Sequence, residues 1–236
     1  MSGKSSDSGS KRDWTGDGRS IFKQLGATSH AVEGSGGREE NDFYATDPRS
    51  IDDLVATGLL DFLRAGDYDT GVSPGVVWEP ACGQGHMCNR LRDLGFNVFA
   101  TDLVDRGCAG ASVLDFLGIE ALNVDVTGKN IRAIVTNPPY KYCTEFVERS
   151  LDVLSGGGID GGVVCMFLKL TTLEGADRYW RLWSKKGLRY VYVYSHRIEC
   201  AKNGVFGAGA GSAVCYAWFI WEIGYEGEPV LRWFKP

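Results

Sequence analysis

Apolar residues along this chain gather into short runs. Runs rich in valine, isoleucine and phenylalanine fall at 76–79, 97–101, 131–136, 162–168, 190–194 and 213–221. Helical patterns separate several of them, at Met87 to Leu94, Tyr142 to Leu154 and Gly175 to Trp183. Strands alternating with helices predict an α/β chain: a parallel sheet with helices on both faces. Such sheets bind ligands beyond the carboxyl ends of their strands, near the point where strand order reverses. Glu79, Asp102, Asp115 and Asn137 all fall at predicted carboxyl ends, so one cleft is expected to collect them.

Two turns carry candidate chemistry. The first is Asn137-Pro138-Pro139-Tyr140, directly after Ile131 to Thr136. It suits methylation of a planar, conjugated nitrogen, whose lone pair is delocalised and must be localised and aimed. The Asn137 amide oxygen can accept one N–H of such a target. The Pro138 carbonyl can accept the other, on a backbone restricted by two prolines. Acceptors fixed before reaction stabilise the positive charge that develops on nitrogen. Tyr140 offers a flat face for stacking. A bare strand followed by a Pro-Pro turn is the alternative for the tetrapeptide alone.

The second turn is Glu79-Pro80-Ala81-Cys82-Gly83-Gln84-Gly85-His86, between the run at 76–79 and the helix from Met87. Glycines at 83 and 85 let the backbone approach a ligand closely. A dinucleotide fingerprint would want a third glycine where Cys88 stands, so pyrophosphate binding is disfavoured. A carboxylate at the strand end, Glu79, suits a cationic amino group instead.

Together these motifs resemble the S-adenosylmethionine-dependent amino-methyltransferases. The resemblance is closest to the DNA adenine-N6 branch and, within it, to short orphan enzymes of phages and prophages. It spans roughly Asn41 to Trp233. It implies a Rossmann-like methyltransferase fold: a seven-stranded, mostly parallel sheet with helices on both faces and an antiparallel last strand. It further implies methyl transfer from S-adenosylmethionine to the exocyclic N6 amine of adenine in DNA, with the target base flipped into the cleft. The catalytic set would be Asn137, Pro138, Pro139 and Tyr140. The segment Asn41 to Pro48, with Tyr44 and Thr46, would close over the methionine end of the cofactor. Glu79, Pro80, Cys82, Gly83, Gly85 and His86 would form the first cofactor turn. Asp102, with Leu103, would bind the ribose hydroxyls. Asp115 would meet the adenine amino group and Phe116 would pack on its ring.

Composition tempers this picture. The net charge is −5, whereas polyanion binding normally needs a basic footprint. The distribution is uneven: Cys165 to Lys202 carries eight basic and three acidic side chains. Within it Lys169, Arg178, Arg181, Arg197 and Lys202 are candidate phosphate contacts, with Trp180, Trp183 and Phe206 interleaved. Lys185 and Lys186 fit a solvated helix face. The seven cysteines are scattered without a Cys-x-x-Cys pair, so neither a disulfide framework nor a metal site is expected. No apolar run is long enough to span a bilayer and no apolar signal core opens the chain. A cytoplasmic chain without membrane partners is therefore expected.

Residues 1–40 are expected to be a flexible N-terminal arm, and residues 41–236 the catalytic domain. Gly204 to Gly211 reads as a loop between the last strands. Little sequence after Tyr140 is left over for a target-recognition domain. Recognition is then short or lax, or a separate subunit supplies it. RNA base or protein glutamine amino-methylation shares the Asn-Pro-Pro-Tyr chemistry and stays open, as does a non-catalytic binding module. The sequence does not fix the oligomeric state.

Overall fold

The computed structural model describes residues 45–64, 73–185, 187–198, 200–201 and 214–235, all within the compact unit Arg38–Pro236. The expected arm at 1–40, Tyr44, Lys202 and the glycine-rich 204–211 segment lie outside the described residues. The strands are β1 (Ala45–Thr46), β2 (Val76–Glu79), β3 (Asn97–Asp102), β4 (Ser112–Val113), β5 (Ile131–Thr136), β6 (Val163–Lys169), β7 (Leu188–Tyr194), β8 (Cys200–Ala201), β9 (Tyr216–Glu222) and β10 (Val230–Phe234). The helices are α1 (Arg49–Ala56), α2 (His86–Asp93), α3 (Cys143–Gly156) and the short α4 (Ala176–Arg178), which widens into a π-helical turn at Tyr179–Trp183.

The main sheet runs β10-β7-β9-β6-β5-β2-β3-β4. Strands β2 to β6 pair in parallel, and β9 pairs antiparallel with both β6 and β7. Order reverses between β2 and β5, the position where α/β sheets open a ligand crevice. Two-sided cover explains the unbroken apolar runs. Val164, Met166 and Leu168 of β6 join one core with Phe146 and Val147 of α3. Val163, Cys165 and Phe167 join the opposite core with Ile51 and Leu54 of α1 and Leu91 of α2. Trp218 of β9 donates from Nε1 to the Ser50 carbonyl at 3.0 Å, tying α1 to that second face.

The sheet has one strand more than the seven expected. The antiparallel strand is β9, as the resemblance implies, but β10 follows it and lies parallel to β7. Its pattern hides it. Phe234 stacks on Tyr192 at 5.2 Å, whereas Leu231 and Trp233 remain 50% and 60% exposed. The third expected element is also shorter: only Ser112–Val113 is strand, and Asp115 and Phe116 follow in a turn. A separate ladder pairs Ala45 with Ala201 and Thr46 with Cys200, joining segments far apart in sequence. No helix among the described residues is long and apolar enough to cross a membrane.

Candidate active site

The turn after β2 is bent by its glycines, with φ of 54° at Gly83 and 86° at Gly85. Gly85 caps α2 in the left-handed region, and His86 begins the helix. The Gly83 N–H donates to Asp102 Oδ2 at 2.8 Å, and the Val104 N–H to Asp102 Oδ1 at 3.2 Å. The carboxylate at the end of β3 thereby positions the turn after β2. Glu79 is 1% exposed and accepts from the Ala81 N–H at 3.1 Å. Burial pushes its carboxyl well above the usual range, against the opposing pull of the Thr136 hydroxyl and the Ala81 N–H.

Asn137 directly follows β5. Its Nδ2 donates to Thr46 Oγ1 at 2.7 Å, which fixes the orientation of the amide. The β1–β8 ladder explains how a residue 91 positions away reaches it. Tyr140 opens a 3₁₀ turn that leads into α3. Its hydroxyl shares hydrogen bonds with Cys200 Sγ at 3.4 Å and Tyr216 Oη at 3.2 Å. Burial drives the Tyr140 phenol far above its ordinary range. Burial also pushes the Cys200 thiol up to about 11. The Lys169 ammonium sits 4.1 Å from the centroid of the Tyr140 ring.

These strand ends enclose a cleft of about 370 Å³, a volume suited to a small-molecule ligand. Pro80 borders it from the end of β2, Asp102 and Leu103 from β3, Asp115 and Phe116 from the turn after β4, and Asn137 to Tyr140 from β5. Of the four strand-end residues expected to converge, Asp102, Asp115 and Asn137 border this cleft, whereas Glu79 is buried beside Pro80 and does not line it. Cys82 and Gly83 border a smaller adjoining cavity that shares Asp102. Sequence reasoning missed Arg106, Tyr142 and Phe146, which also line the cleft. Arg106 Nε stands 3.7 Å from Asp102 Oδ1. Phe146 packs on Phe116 with centroids 5.1 Å apart. A signal existed: Arg106 lies four residues after Asp102, and Phe146 lies four residues after Tyr142, which caps the start of α3.

The candidate phosphate contacts divide. Lys169 stands beside the Asn137–Tyr140 turn. Arg197 is exposed, with Nη1 3.7 Å from Cys215 Sγ. Two others have internal partners. Arg178 Nε donates to the carbonyls of Thr172 and Glu174 at 2.8 Å each. Arg181 bridges Glu148 at 2.6 Å, Glu145 at 3.0 Å and Asp177 at 3.3 Å, clamping the π-helical turn to α3. Asp177 is a local partner, but α3 supplies the other two, and nothing in the sequence around Arg181 announces those.

No family model matches the chain, and no curated protein sequence matches it. Solved structures do. A Listeria monocytogenes protein assigned to the class I S-adenosylmethionine-dependent methyltransferases aligns over 93% of this chain and 71% of its own, at 14% identity and a TM-score of 0.54. The fold is the Rossmann-like methyltransferase fold. A Thermotoga maritima S-adenosylmethionine-dependent O-methyltransferase is similar over 75% of this chain and 66% of its own, at 16% identity and a TM-score of 0.47. DrdV in complex with DNA is similar over 81% of this chain but 27% of its own, at 12% identity and a TM-score of 0.49.

Proposed function

We propose that this chain transfers a methyl group from S-adenosylmethionine to the exocyclic N6 amine of adenine in DNA. One observation carries the reading: the Asn137–Tyr140 turn lines the same cleft as Asp102 and Asp115. An amine-orienting turn and a candidate nucleoside-binding wall thus face one space.

The residues fit the donor. The desolvated Glu79 carboxyl is stabilised by a cationic group such as a methionine amine. The glycine turn permits close approach of the main chain. Asp102 and Asp115 present carboxylates to a ribose and an adenine amine, beside the apolar wall of Phe116 and Phe146. When bound, S-adenosylmethionine supplies an electrophilic methyl on a sulfonium sulfur.

The chain's own part is orientation and electrostatics. Thr46 receives the Asn137 Nδ2 hydrogen, so the amide oxygen is the end assigned to the target amine. The Pro138 carbonyl accepts the second N–H. Tyr140 supplies a stacking face, and its buried phenol stays protonated, so it abstracts no proton. Lys169 adds positive charge beside the target side of the cleft. DNA as the macromolecule rests on the resemblance of the Glu79–Gly85 and Asn137–Tyr140 motifs.

The test offers labelled S-adenosylmethionine to DNA, RNA and protein in parallel. Label in DNA alone is expected, and Asn137→Ala should slow its incorporation about 10²- to 10³-fold. Label in RNA or protein alone would reassign the substrate, and equal DNA labelling by Asn137→Ala would overturn the mechanism.

A further inference from the structure

Three thiols separated in sequence meet beneath the glycine turn. Cys82 follows β2, Cys88 lies in α2, and Cys108 lies in the loop between β3 and β4. Their Sγ atoms all fall within 4.8 Å of one another. Their exposures are 8%, 0% and 7%. Small core cysteines often act as plain apolar filling, but two features here exceed filling. The first is three-way proximity. Three sulfurs sharing one ion at a bond length of about 2.3 Å stand about 4 Å apart, a spacing the trio reaches with small side-chain shifts. The second is a cavity of about 50 Å³ that opens beside Cys82 and Cys108 and is bordered by Asp102, Asp105 and Arg106. It gives an entry path and room for one water. A water is the fourth ligand that a three-thiolate zinc site leaves open.

We propose that Cys82, Cys88 and Cys108 bind a single thiophilic metal ion, zinc or monovalent copper. Thiolates select these two ions among the common biological metals. Binding breaks three S–H bonds, forms three sulfur–metal bonds and releases three protons to solvent, with no change of oxidation state. The ion would tie the end of β2, α2 and the loop after β3 into one unit. That unit already packs tightly, since a Cβ built on Gly85 would meet Cys108 Sγ at 2.7 Å. The turn that borders the cleft is thereby stiffened without any ligand entering the cleft. This site does not depend on the proposed methyl transfer.

The test uses the full chain, reduced and metal-free. Cobalt is the optical probe, read as a thiolate-to-cobalt charge-transfer band. Zinc should then displace cobalt at one ion per chain. A parallel anaerobic titration with a monovalent copper complex tells the two ions apart. Cys108→Ser, which nearly conserves volume, should lose the band and drop the stoichiometry from one to none while circular dichroism shows the fold retained. Cys215→Ser, at an exposed cysteine, should leave the stoichiometry at one. Proton release should fall from three per ion bound in the unaltered chain to none in Cys108→Ser. Absence of the band in the unaltered chain, or full stoichiometry in Cys108→Ser, would overturn the proposal.

Discussion

The two walls of the cleft are built in opposite ways. On the β2–β3 side the contacts are short in sequence. Ala81 and Glu79 are two residues apart, Val104 and Asp102 two, and Gly83 and Asp102 nineteen. On the β5 side they are long. Asn137 meets Thr46 across 91 positions, and Tyr140 meets Cys200 and Tyr216 across 60 and 76. The first wall needs one strand–helix–strand unit. The second needs segments from Thr46 to Tyr216 brought together, including the small β1–β8 ladder. Perturbing distant segments should therefore damage methyl transfer while sparing donor binding.

The largest expected effect separates the walls outright. Asn137→Ala should lower the transfer rate by about 10²- to 10³-fold, the scale of losing one preorganised polar group. Equilibrium dialysis should show donor affinity unchanged. Gly85→Ala attacks the other wall. Its φ of 86° and the 2.7 Å approach to Cys108 Sγ should cost about 1–3 kcal/mol of stability in chemical denaturation. Adding Cys108→Ala should recover the steric part and leave the backbone part.

Glu79→Gln sharpens the same wall through pH. A carboxyl whose pKa is raised on folding contributes stability that is full below its unfolded value and is lost as pH rises through the folded one. The variant should therefore gain about 1–3 kcal/mol over the parent at neutral pH, with no gain near pH 3, while donor affinity falls. Equal stability at both pH values would show that the carboxyl is not strained by burial.

Thr46→Val tests the long-range wall more gently. Loss of one hydrogen bond to the Asn137 amide should slow transfer about 2- to 10-fold, and donor affinity, measured in parallel, reports the separate closure of Thr46 over the methionine end. The smallest effect is at Lys169. Lys169→Gln should reduce the salt dependence of DNA affinity by about one unit of slope, whereas Arg181→Ala should leave the slope alone. Arg181 is already held by Glu145 and Glu148, so its removal should loosen the π-helical turn from α3 instead.

The same contrast governs what the sequence discloses. Val76 to Gly85 and Ile131 to Tyr140 are contiguous segments whose residue order states their geometry: buried strand, tight turn, helix. Asp102 and Asp115 are legible because parallel strands end on one side of a sheet. The β1–β8 ladder is not legible, since two residues each of Ala45–Thr46 and Cys200–Ala201 carry no periodicity. Nor is the Cys82–Cys88–Cys108 trio, whose closeness comes from the packing of α2 and a loop. Nor are the internal partners of Arg178 and Arg181, because charge in sequence does not reveal them: main-chain carbonyls for Arg178, and for Arg181 acidic residues of α3 that lie across the fold. Strand β10 escaped notice because Val230 to Trp233 stay exposed at the sheet edge, so no buried alternation marks it.

The central claim is that the β5 wall presents an exocyclic amine to the donor wall. Nucleoside analysis by mass spectrometry of DNA after incubation with S-adenosylmethionine tests it at the level of the atom. The account predicts N6-methyladenine as the methylated product, formed far more slowly by Asn137→Ala. A methyl group on a base carbon or on a ring nitrogen would contradict it.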